Sequence, residues 1–165
     1  MESMNYSDNP EAIVSAIVAS DHATLEGYLN SGGNPDILYR RRSLIHWATQ
    51  ESDTESVRLL LARGASPETQ DEEGHFPLYQ SAAEGSIETV RLLVEAGAEI
   101  NRVCDSGSAL SIACAYENFN VVRYLVSVGA DPDLPDNAGV TARSISEDYE
   151  SPKLIRMLNK GEAQR

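Results

Sequence analysis

Residues 71–101 read "DEEGHFPLYQSAAEGSIETVRLLVEAGAEIN", and this stretch carries two short helical patterns in succession. In "TVRLLVEAG" the apolar residues recur at the three- and four-residue spacing that forms one buried helix face. The earlier segment "FPLYQSAAEG" has small residues where a neighbouring helix must approach closely. Gly97 follows the second pattern and suits the left-handed conformation that ends a helix. The stretch therefore predicts a pair of helices that follows a tight turn at "DEEG".

The same arrangement recurs along the chain at a nearly constant interval. The second helix of each unit ends at a glycine that begins "GGNPD" (Gly32), "GASPE" (Gly64), "GAEIN" (Gly97) or "GADPD" (Gly129), with spacings of 32, 33 and 32 residues. The second-helix patterns are "TLEGYLNSG", "SVRLLLARG", "TVRLLVEAG" and "VVRYLVSVG", and the first-helix patterns are "AIVSAIVAS", "SLIHWATQE", "FPLYQSAAEG" and "SALSIACAYE". A period of this length predicts repeated units that bury their apolar faces only against their neighbours.

These motifs resemble the ankyrin repeat, most fully in residues 71–101. That unit has a D-x-x-G turn, "FPLY" in place of the family's T-P-L-H, paired alanines, a glycine between the helices and the closing "GAEIN". The resemblance implies an all-α ankyrin-repeat solenoid of stacked helix pairs with hairpin-like turns. It implies a single domain over residues 1–165, with units at about 9–36 (N-terminal cap), 37–68, 69–101, 102–133 and 134–160 (C-terminal cap) and a tail at 161–165.

The start of the first helix departs from the family pattern in every unit. The four segments read "SLIH", "FPLY", "SALS" and "TARS", so none has the full T-P-L-H. The family's threonine and histidine make hydrogen bonds at this turn, and we expect part of them to be missing. The expected stability is therefore below that of a consensus repeat array.

The charge balance limits the classes of partner. The chain has 13 Lys+Arg against 26 Asp+Glu, a formal net charge of −13 at pH 7. Nucleic acids and anionic membranes are repelled by such a charge, whereas a basic protein surface is attracted. No apolar run approaches the roughly 18 residues that a membrane-spanning helix needs, and no secretory signal is recognisable. The predicted partner is another protein, and the polar end units favour a monomer.

Cysteine and histidine positions give no sign of a catalytic or metal site. Cys104 and Cys114 match no zinc or redox pattern, which favours free thiols in a reducing, cytoplasmic location. His22, His46 and His75 are not spaced to share one helix face. His46 takes the family's structural histidine position, while His22 and His75 are expected to be solvated. We therefore expect a non-enzymatic chain without cofactor or metal ion.

The resemblance implies a partner-binding surface made of the turns, which project as a row of fingers, and the first helices, which line a groove. Tyr and Arg are enriched among the residues that dominate protein interfaces. The candidate partner-binding residues on this surface are Tyr39, Arg40, Arg42, Trp47, Gln50, Glu51, Glu72, Glu73, His75, Glu84, Asp105 and Tyr116. For Trp47 two interpretations stay open: packing between repeats, or a contact on the groove floor.

The arginines at positions 40, 41 and 42 concentrate scarce positive charge at one turn. Arg41 stands where the family's turn has glycine, and Leu38 stands where it has aspartate, so the usual turn chemistry is absent. One interpretation is that the arginines neutralise the acidic residues 71–73 on the next finger. The other is that they hold an acidic or phosphorylated segment of a partner, because a guanidinium binds carboxylates bidentately.

Two functions follow as hypotheses. The first is a non-catalytic protein–protein interaction module that binds its partner through the concave finger and groove surface. The alternative is an acidic inhibitor or immunity-type protein that masks the basic surface of an enzyme. An inhibitor of this kind is expected to lose affinity steeply with salt, because charge complementarity acts mainly on the rate of association.

Overall fold

A computed structural model describes residues 9–162 of the chain, and its helices follow one another as five pairs. The ends of the predicted domain, residues 1–8 and 163–165, lie outside the described residues. The helices are α1 Pro10–Val18, α2 His22–Asn30, α3 Leu44–Gln50, α4 Thr54–Ala62, α5 Pro77–Glu84, α6 Ile87–Glu95, α7 Ala109–Ala115, α8 Phe119–Ser127, α9 Ala142–Asp148 and α10 Pro152–Glu162. Four of the five pairs lie inside a predicted unit range, whereas α10 ends two residues beyond the last one, in the predicted tail. The predicted all-α solenoid is confirmed.

Four turns connect the successive pairs, and we call them the fingers. The first is a hairpin of strands β1 Leu38–Tyr39 and β2 Arg42–Ser43, and the third is a hairpin of strands β3 Val103–Cys104 and β4 Gly107–Ser108. Both hairpins are antiparallel, with registers Leu38↔Ser43, Tyr39↔Arg42, Val103↔Ser108 and Cys104↔Gly107. The second and fourth fingers, at residues 71–76 and 136–141, are D-x-x-G turns.

The second finger shows why aspartate begins the D-x-x-G turns. The Asp71 carboxylate accepts hydrogen bonds from the backbone N–H groups of Glu73 and His75, at 3.0 and 2.9 Å. Gly74 ends this turn with a positive φ of 80°. This is the conformation that glycine adopts without a steric cost.

The helices form two layers that run in sequence order. The first helices of the pairs (α1, α3, α5, α7, α9) pack on one another, and so do the second helices (α2, α4, α6, α8, α10). Large fully buried side chains lie between the layers in every pair: Ile13, Ile17, Leu25, Leu44, Leu60, Leu93, Leu110, Leu125, Leu154 and Leu158. They belong to one continuous hydrophobic cluster, so each unit completes its core with the next.

Hydrogen bonds between successive linkers repeat with the same period. The carboxylate of Asp36 accepts from the backbone N–H of Ser66 at 2.9 Å, and Glu68 accepts from Glu99 at 2.8 Å. The side-chain oxygen of Asn101 accepts from the N–H of Asp131 at 2.8 Å. In each case the last residue of one glycine-led pentapeptide binds the third residue of the next. The polar residue that closes each pentapeptide therefore ties its unit to the following one.

The starts of the first helices keep more hydrogen bonds than we expected. Ser43 Oγ lies 2.8 Å from His46 Nδ1, and the ring also contacts the His75 carbonyl through Nε2 at 3.2 Å. Ser108 and Thr141 each form a reciprocal capping box with the residue three positions on, which satisfies two backbone N–H groups. Only Phe76 begins its helix with an apolar side chain. The α3 and α5 helices therefore start without a side-chain cap, since Ser43 makes no such hydrogen bond and Phe76 has no polar group for one. The lower stability stays a prediction.

The first helices end at residues in the left-handed conformation. The five equivalent residues, with their φ angles, are Ser20 (54°), Ser52 (52°), Gly85 (74°), Glu117 (53°) and Glu150 (46°). Glycine adopts this conformation freely, whereas a residue with a Cβ pays about 1 to 2 kcal/mol. Four of the five units therefore carry a small backbone strain at this position.

Replacing Glu117 with glycine is expected to raise the free energy of unfolding by about 0.5 to 1 kcal/mol. The gain is smaller than the strain removed, because glycine also loses more conformational entropy on folding. Urea denaturation followed by circular dichroism measures the change. Glu88→Gly makes the same chemical change in the first turn of α6 and is expected to lower stability by about 0.5 to 1 kcal/mol. A loss of stability in both variants contradicts the prediction.

Candidate functional site

A cavity of about 250 Å³ opens where the first two fingers meet the first helices of the next two units. Its lining residues are Arg42, Asp71, Glu72, Glu73, His75, Tyr79, Gln80, Ala83, Ile112 and Tyr116. The first finger contributes Arg42, and the second finger contributes the acidic residues and His75. The rest come from α5, from α7 and from Tyr116, which directly follows α7. Five of the predicted binding residues therefore share one depression. We call it the finger cavity.

Arg42 is anchored at one wall of the finger cavity. Its Nη1 donates to the side-chain oxygen of Gln50, and its Nη2 donates to that of Gln80 at 3.2 Å and lies 3.8 Å from the Asp71 carboxylate. Its guanidinium also stacks on the Trp47 ring, 5.1 Å from the centroid. The Nε atom is buried, with no acceptor among the described residues. The guanidinium is thus held by its own protein on several sides.

His75 lies against the finger cavity and is not solvated as predicted. Its ring stacks on Tyr79, with centroids 4.6 Å apart and an angle of 16° between the planes. Nδ1 lies 3.3 Å from the Glu73 carboxylate, and Nε2 lies 3.2 Å from Ser106 Oγ on the third finger. The prediction failed because Tyr79 and Glu73 of the same unit cover part of the ring, and because Ser106 comes from the next unit, which the sequence does not place in space.

Tyr79 forms the buried floor beneath His75. Burial raises the pKa of Tyr79 to about 12, and the nearby Cys104 acts in the same direction. The phenol is therefore neutral at pH 7, and its O–H points to the Ser106 carbonyl at 3.5 Å. Tyr79 stands at the position of the histidine in the family pattern. Its hydroxyl group links the third unit to the fourth, as the His75 ring does.

The tip of the first finger has an unusual backbone. Arg40 and Arg41 occupy the two central positions of the hairpin with φ of 48° and 60°. Positive φ at both positions is the signature of a type I′ turn, which favours Asn-Gly. The Arg40 guanidinium lies 5.2 Å from the centroid of the Tyr39 ring, while Arg41 is exposed. Of the three arginines, only Arg42 has an ion-pair contact with residues 71–73 in the described part of the chain.

The remaining predicted residues lie outside the finger cavity. Trp47 packs within its own unit: its ring centroid is 6.0 Å from that of Tyr39, and its Nε1 donates to the Tyr39 carbonyl at 3.4 Å. Asp105 on the third finger accepts a hydrogen bond of 2.8 Å from Asn137 on the fourth. Glu51 and Glu84 are exposed on the first-helix side.

Sequence reasoning did not assign Asp71, Tyr79, Gln80 and Ile112 to the site. A usable signal existed for two of them. Tyr79 stands at the histidine position of the family's T-P-L-H, and Gln80 is four residues before the candidate Glu84 on the same helix face. In the sequence Asp71 begins a D-x-x-G turn, and Ile112 lies within the first-helix pattern "SALSIACAYE". Both residues also line the finger cavity, and this role depends on how close neighbouring units lie in space.

The His22 side chain is 39% exposed, in line with the expected solvation, but it also has a partner in the next unit. Its Nε2 lies 2.9 Å from the Asp53 carboxylate in the next unit. Burial raises the pKa of Asp53, but hydrogen bonds from the side chain and backbone of Ser56 and from His22 outweigh it, and the pKa is lowered overall. The pair therefore links the first two units with an ionised carboxylate.

The two cysteines and the remaining metal-binding types of side chain form no further candidate site among residues 9–162. Cys104 and Cys114 are free and buried, and burial raises the pKa of both thiols, to about 12 for Cys114. Among residues 9–162, no group of three or more His, Cys, Asp or Glu side chains has an arrangement that holds a metal ion. In the same range, no helix is both long and apolar enough to span a bilayer.

A family profile and several known proteins match the sequence of this chain. The family profile described as "Ankyrin repeats (3 copies)" matches residues 13–104 and 45–136. Protein phosphatase 1 regulatory subunit 27 of Homo sapiens is 34% identical over 103 residues, which cover 61% of this chain and 67% of the human protein. The mouse protein of the same name is 36% identical over 92 residues, which cover 54% of this chain and 60% of that protein.

A longer relative carries the same repeats inside a much larger protein. The transient receptor potential cation channel subfamily A member 1 homolog of Caenorhabditis elegans is 32% identical over 104 residues, which cover 63% of this chain and 9% of the worm protein. The chain thus spans less than two thirds of the worm and mouse relatives. The profile match extends over most of the chain and agrees with the stacked helix pairs. The chain belongs to the ankyrin-repeat family.

Proposed function

We propose that this chain is a non-catalytic interaction module whose fingers and first helices bind a protein partner. Ankyrin repeats bind other proteins, and the family is generally non-catalytic. The observation that carries the proposal is the finger cavity, where an exposed Tyr116 stands beside acidic side chains of the neighbouring finger. Exposed aromatic residues next to a concave site are typical of interface anchors.

The relatives support a regulatory role for such a module. Two of them are named regulatory subunits of protein phosphatase 1. We propose for this chain a partner of comparable kind, namely another protein whose activity or location is governed by binding. We also propose a reducing, cytoplasmic location and a monomeric state. The free buried thiols favour that location, since neither is engaged in a disulfide.

The negative charge favours a second candidate, an acidic inhibitor that covers a basic enzyme surface. The formal net charge of −13 attracts such a surface at long range. The two candidates differ in salt dependence. An inhibitor driven by charge loses affinity steeply as ionic strength rises, whereas a module that relies on aromatic anchors loses little.

Affinity capture with matched variants tests both candidates. The groove variant combines Arg40→Ala, Glu72→Ala, Glu84→Ala and Tyr116→Ala, all at exposed residues. The control variant combines Glu88→Ala, Glu95→Ala and Arg123→Ala, which are exposed on second helices and give the same change in net charge. We expect wild type and control to retain the same specific partner at low and high salt, and the groove variant to lose it. Retention by the groove variant, or loss in the control alone, contradicts the proposed surface.

A further inference from the structure

The finger cavity carries an uncompensated negative charge. Of its charged lining residues, Arg42 is the one cation, against the carboxylates of Asp71, Glu72 and Glu73. Asp71 is engaged by Arg42 and by two backbone N–H groups. Glu73 contacts His75 but remains 71% exposed, and Glu72 is exposed. Without counting His75, the formal charges of the lining sum to −2, so its electrostatic preference is for a cation.

Arg42 does not offer an alternative site for an anion. Its Nη groups already bind Gln50, Gln80 and Asp71. The Nε atom is covered by neighbouring protein atoms, so an incoming acidic group has no access to it. Two carboxylates on the adjoining finger also repel an acidic ligand.

The rest of the lining suits a side chain that is apolar along its stem and flat at its tip. Ile112 and Ala83 provide apolar contact, and the stacked pair of His75 and Tyr79 forms a rigid wall. Tyr116 is 63% exposed at the rim, so a ring face is open to a ligand. A guanidinium stacks on an aromatic face and donates two parallel hydrogen bonds to a carboxylate, whereas an ammonium is a strongly hydrated point charge.

We propose that the finger cavity accepts the guanidinium group of an arginine side chain from the partner. The aliphatic stem lies over Ile112, the guanidinium stacks on Tyr116, and its N–H groups bind the Glu72 carboxylate. This inference rests on the proposed function, since it names the side chain by which a protein partner is anchored. It commits to an arginine of a folded or extended protein segment as the occupant.

The test uses N-acetyl-L-arginine amide as the probe, titrated into the ¹⁵N-labelled protein and followed by NMR. The neutral isostere N-acetyl-L-citrulline amide and N-acetyl-L-lysine amide are the comparison ligands. We expect saturable shifts at the amides of Ala83, Ile112 and Tyr116, with a dissociation constant of roughly 1 to 10 mM for one side chain. Citrulline amide is expected to bind at least about fivefold more weakly, because it lacks the charge.

Variants locate the binding. Glu72→Gln and Tyr116→Ala are each expected to weaken arginine amide binding about three- to fivefold, by loss of a carboxylate and of a stacking face. Glu88→Gln on α6 removes the same charge from an exposed second helix and is expected to change nothing. Shifts without saturation, equal binding of citrulline or lysine amide, or equal weakening in Glu88→Gln each overturn the proposal.

The outcome is separable from that of the proposed function. If the Glu72→Gln and Tyr116→Ala variants bind the partner as tightly as the wild type while the groove variant does not bind it, the interaction module stands and the arginine site is rejected. If arginine amide binds as expected but the groove variant retains its partner, the site exists and the proposed partner surface is wrong.

Discussion

Removal of residues 86–101 is expected to abolish cooperative folding, whereas removal of residues 69–101 is expected to leave a shorter folded helical array. The longer deletion takes out α5 and α6 together and joins Glu68 to Arg102, in register with the period. The shorter one removes only α6, which packs on α4, α5 and α8. The larger deletion is thus expected to be the milder one.

The free energy lost with α6 explains why the shorter deletion is expected to be the more damaging one. Val90 and Leu93 of α6 are fully buried, and each such side chain contributes about 1.5 to 3 kcal/mol. Their loss alone costs about 3 to 6 kcal/mol, and the faces of α4, α5 and α8 become exposed as well. A domain of this kind has a total stability of about 5 to 15 kcal/mol. The remaining stability is then too small to hold α5 in place.

Circular dichroism, gel filtration and urea titration distinguish the two products. The in-register product should keep its helical signal per residue and a sigmoidal transition, and the product without α6 should have neither. Deletion of residues 102–133, another single unit, controls for the choice of unit. A cooperative transition in the product without α6, or its absence in both in-register products, contradicts the stacking argument.

Replacing His46 with alanine is expected to lower the free energy of unfolding by about 3 kcal/mol. The imidazole is fully buried and connects two units. A carbonyl only accepts hydrogen bonds, so Nε2–H donates to the His75 carbonyl and the Ser43 hydroxyl donates to Nδ1. Alanine leaves the carbonyl and the hydroxyl without this partner and opens a cavity. Urea denaturation measures the change.

His22→Ala is the control for this substitution. The His22 side chain is 39% exposed and pairs with a carboxylate that keeps its hydrogen bonds from Ser56. Its loss is expected to cost less than about 1 kcal/mol. A His46→Ala variant that is destabilised no more than His22→Ala would show that the buried network is dispensable.

His46 also makes the free energy of unfolding depend on pH, and the direction of this dependence can be predicted. Burial lowers the pKa of His46 below its usual 6.5, more than its hydrogen bond to the His75 carbonyl raises it. In the folded state the ring is therefore neutral where the unfolded chain already binds a proton. Stability is full above pH 6.5 and falls as the pH drops towards the folded pKa, by up to about 1.4 kcal/mol per pH unit. His46→Ala should lose this contribution to the pH slope.

The repeat architecture was accessible from the sequence because it depends on local patterns. Glycines at a fixed interval mark where second helices end, and Gly32, Gly64, Gly97 and Gly129 all adopt positive φ of 86° to 95°. The role of His46 was also predictable, because a buried histidine at that position meets a fixed backbone partner. The first inference needs only the neighbouring residues and the period, and the second follows from the resemblance to the ankyrin repeat.

The composition of the finger cavity was predictable only in part. Tyr116 and the acidic finger followed from the unit alignment, whereas the stacking of His75 on Tyr79 depends on a side-chain orientation across one turn. The capture of Arg42 by Gln80 joins residues 38 positions apart. Side-chain choices of this kind are settled by packing in three dimensions, and a periodic pattern does not specify them.

The hydrogen bonds that tie each linker to the next reach 30 or 31 residues along the chain and no further. The mean sequence separation of contacts is thereby set by the length of one unit, whatever the number of units. Folding rate depends on that separation, since loop closure must precede distant contacts. A nucleus of two adjacent units can form anywhere in the array and grow in both directions. Additional units therefore add stability without slowing the formation of this nucleus.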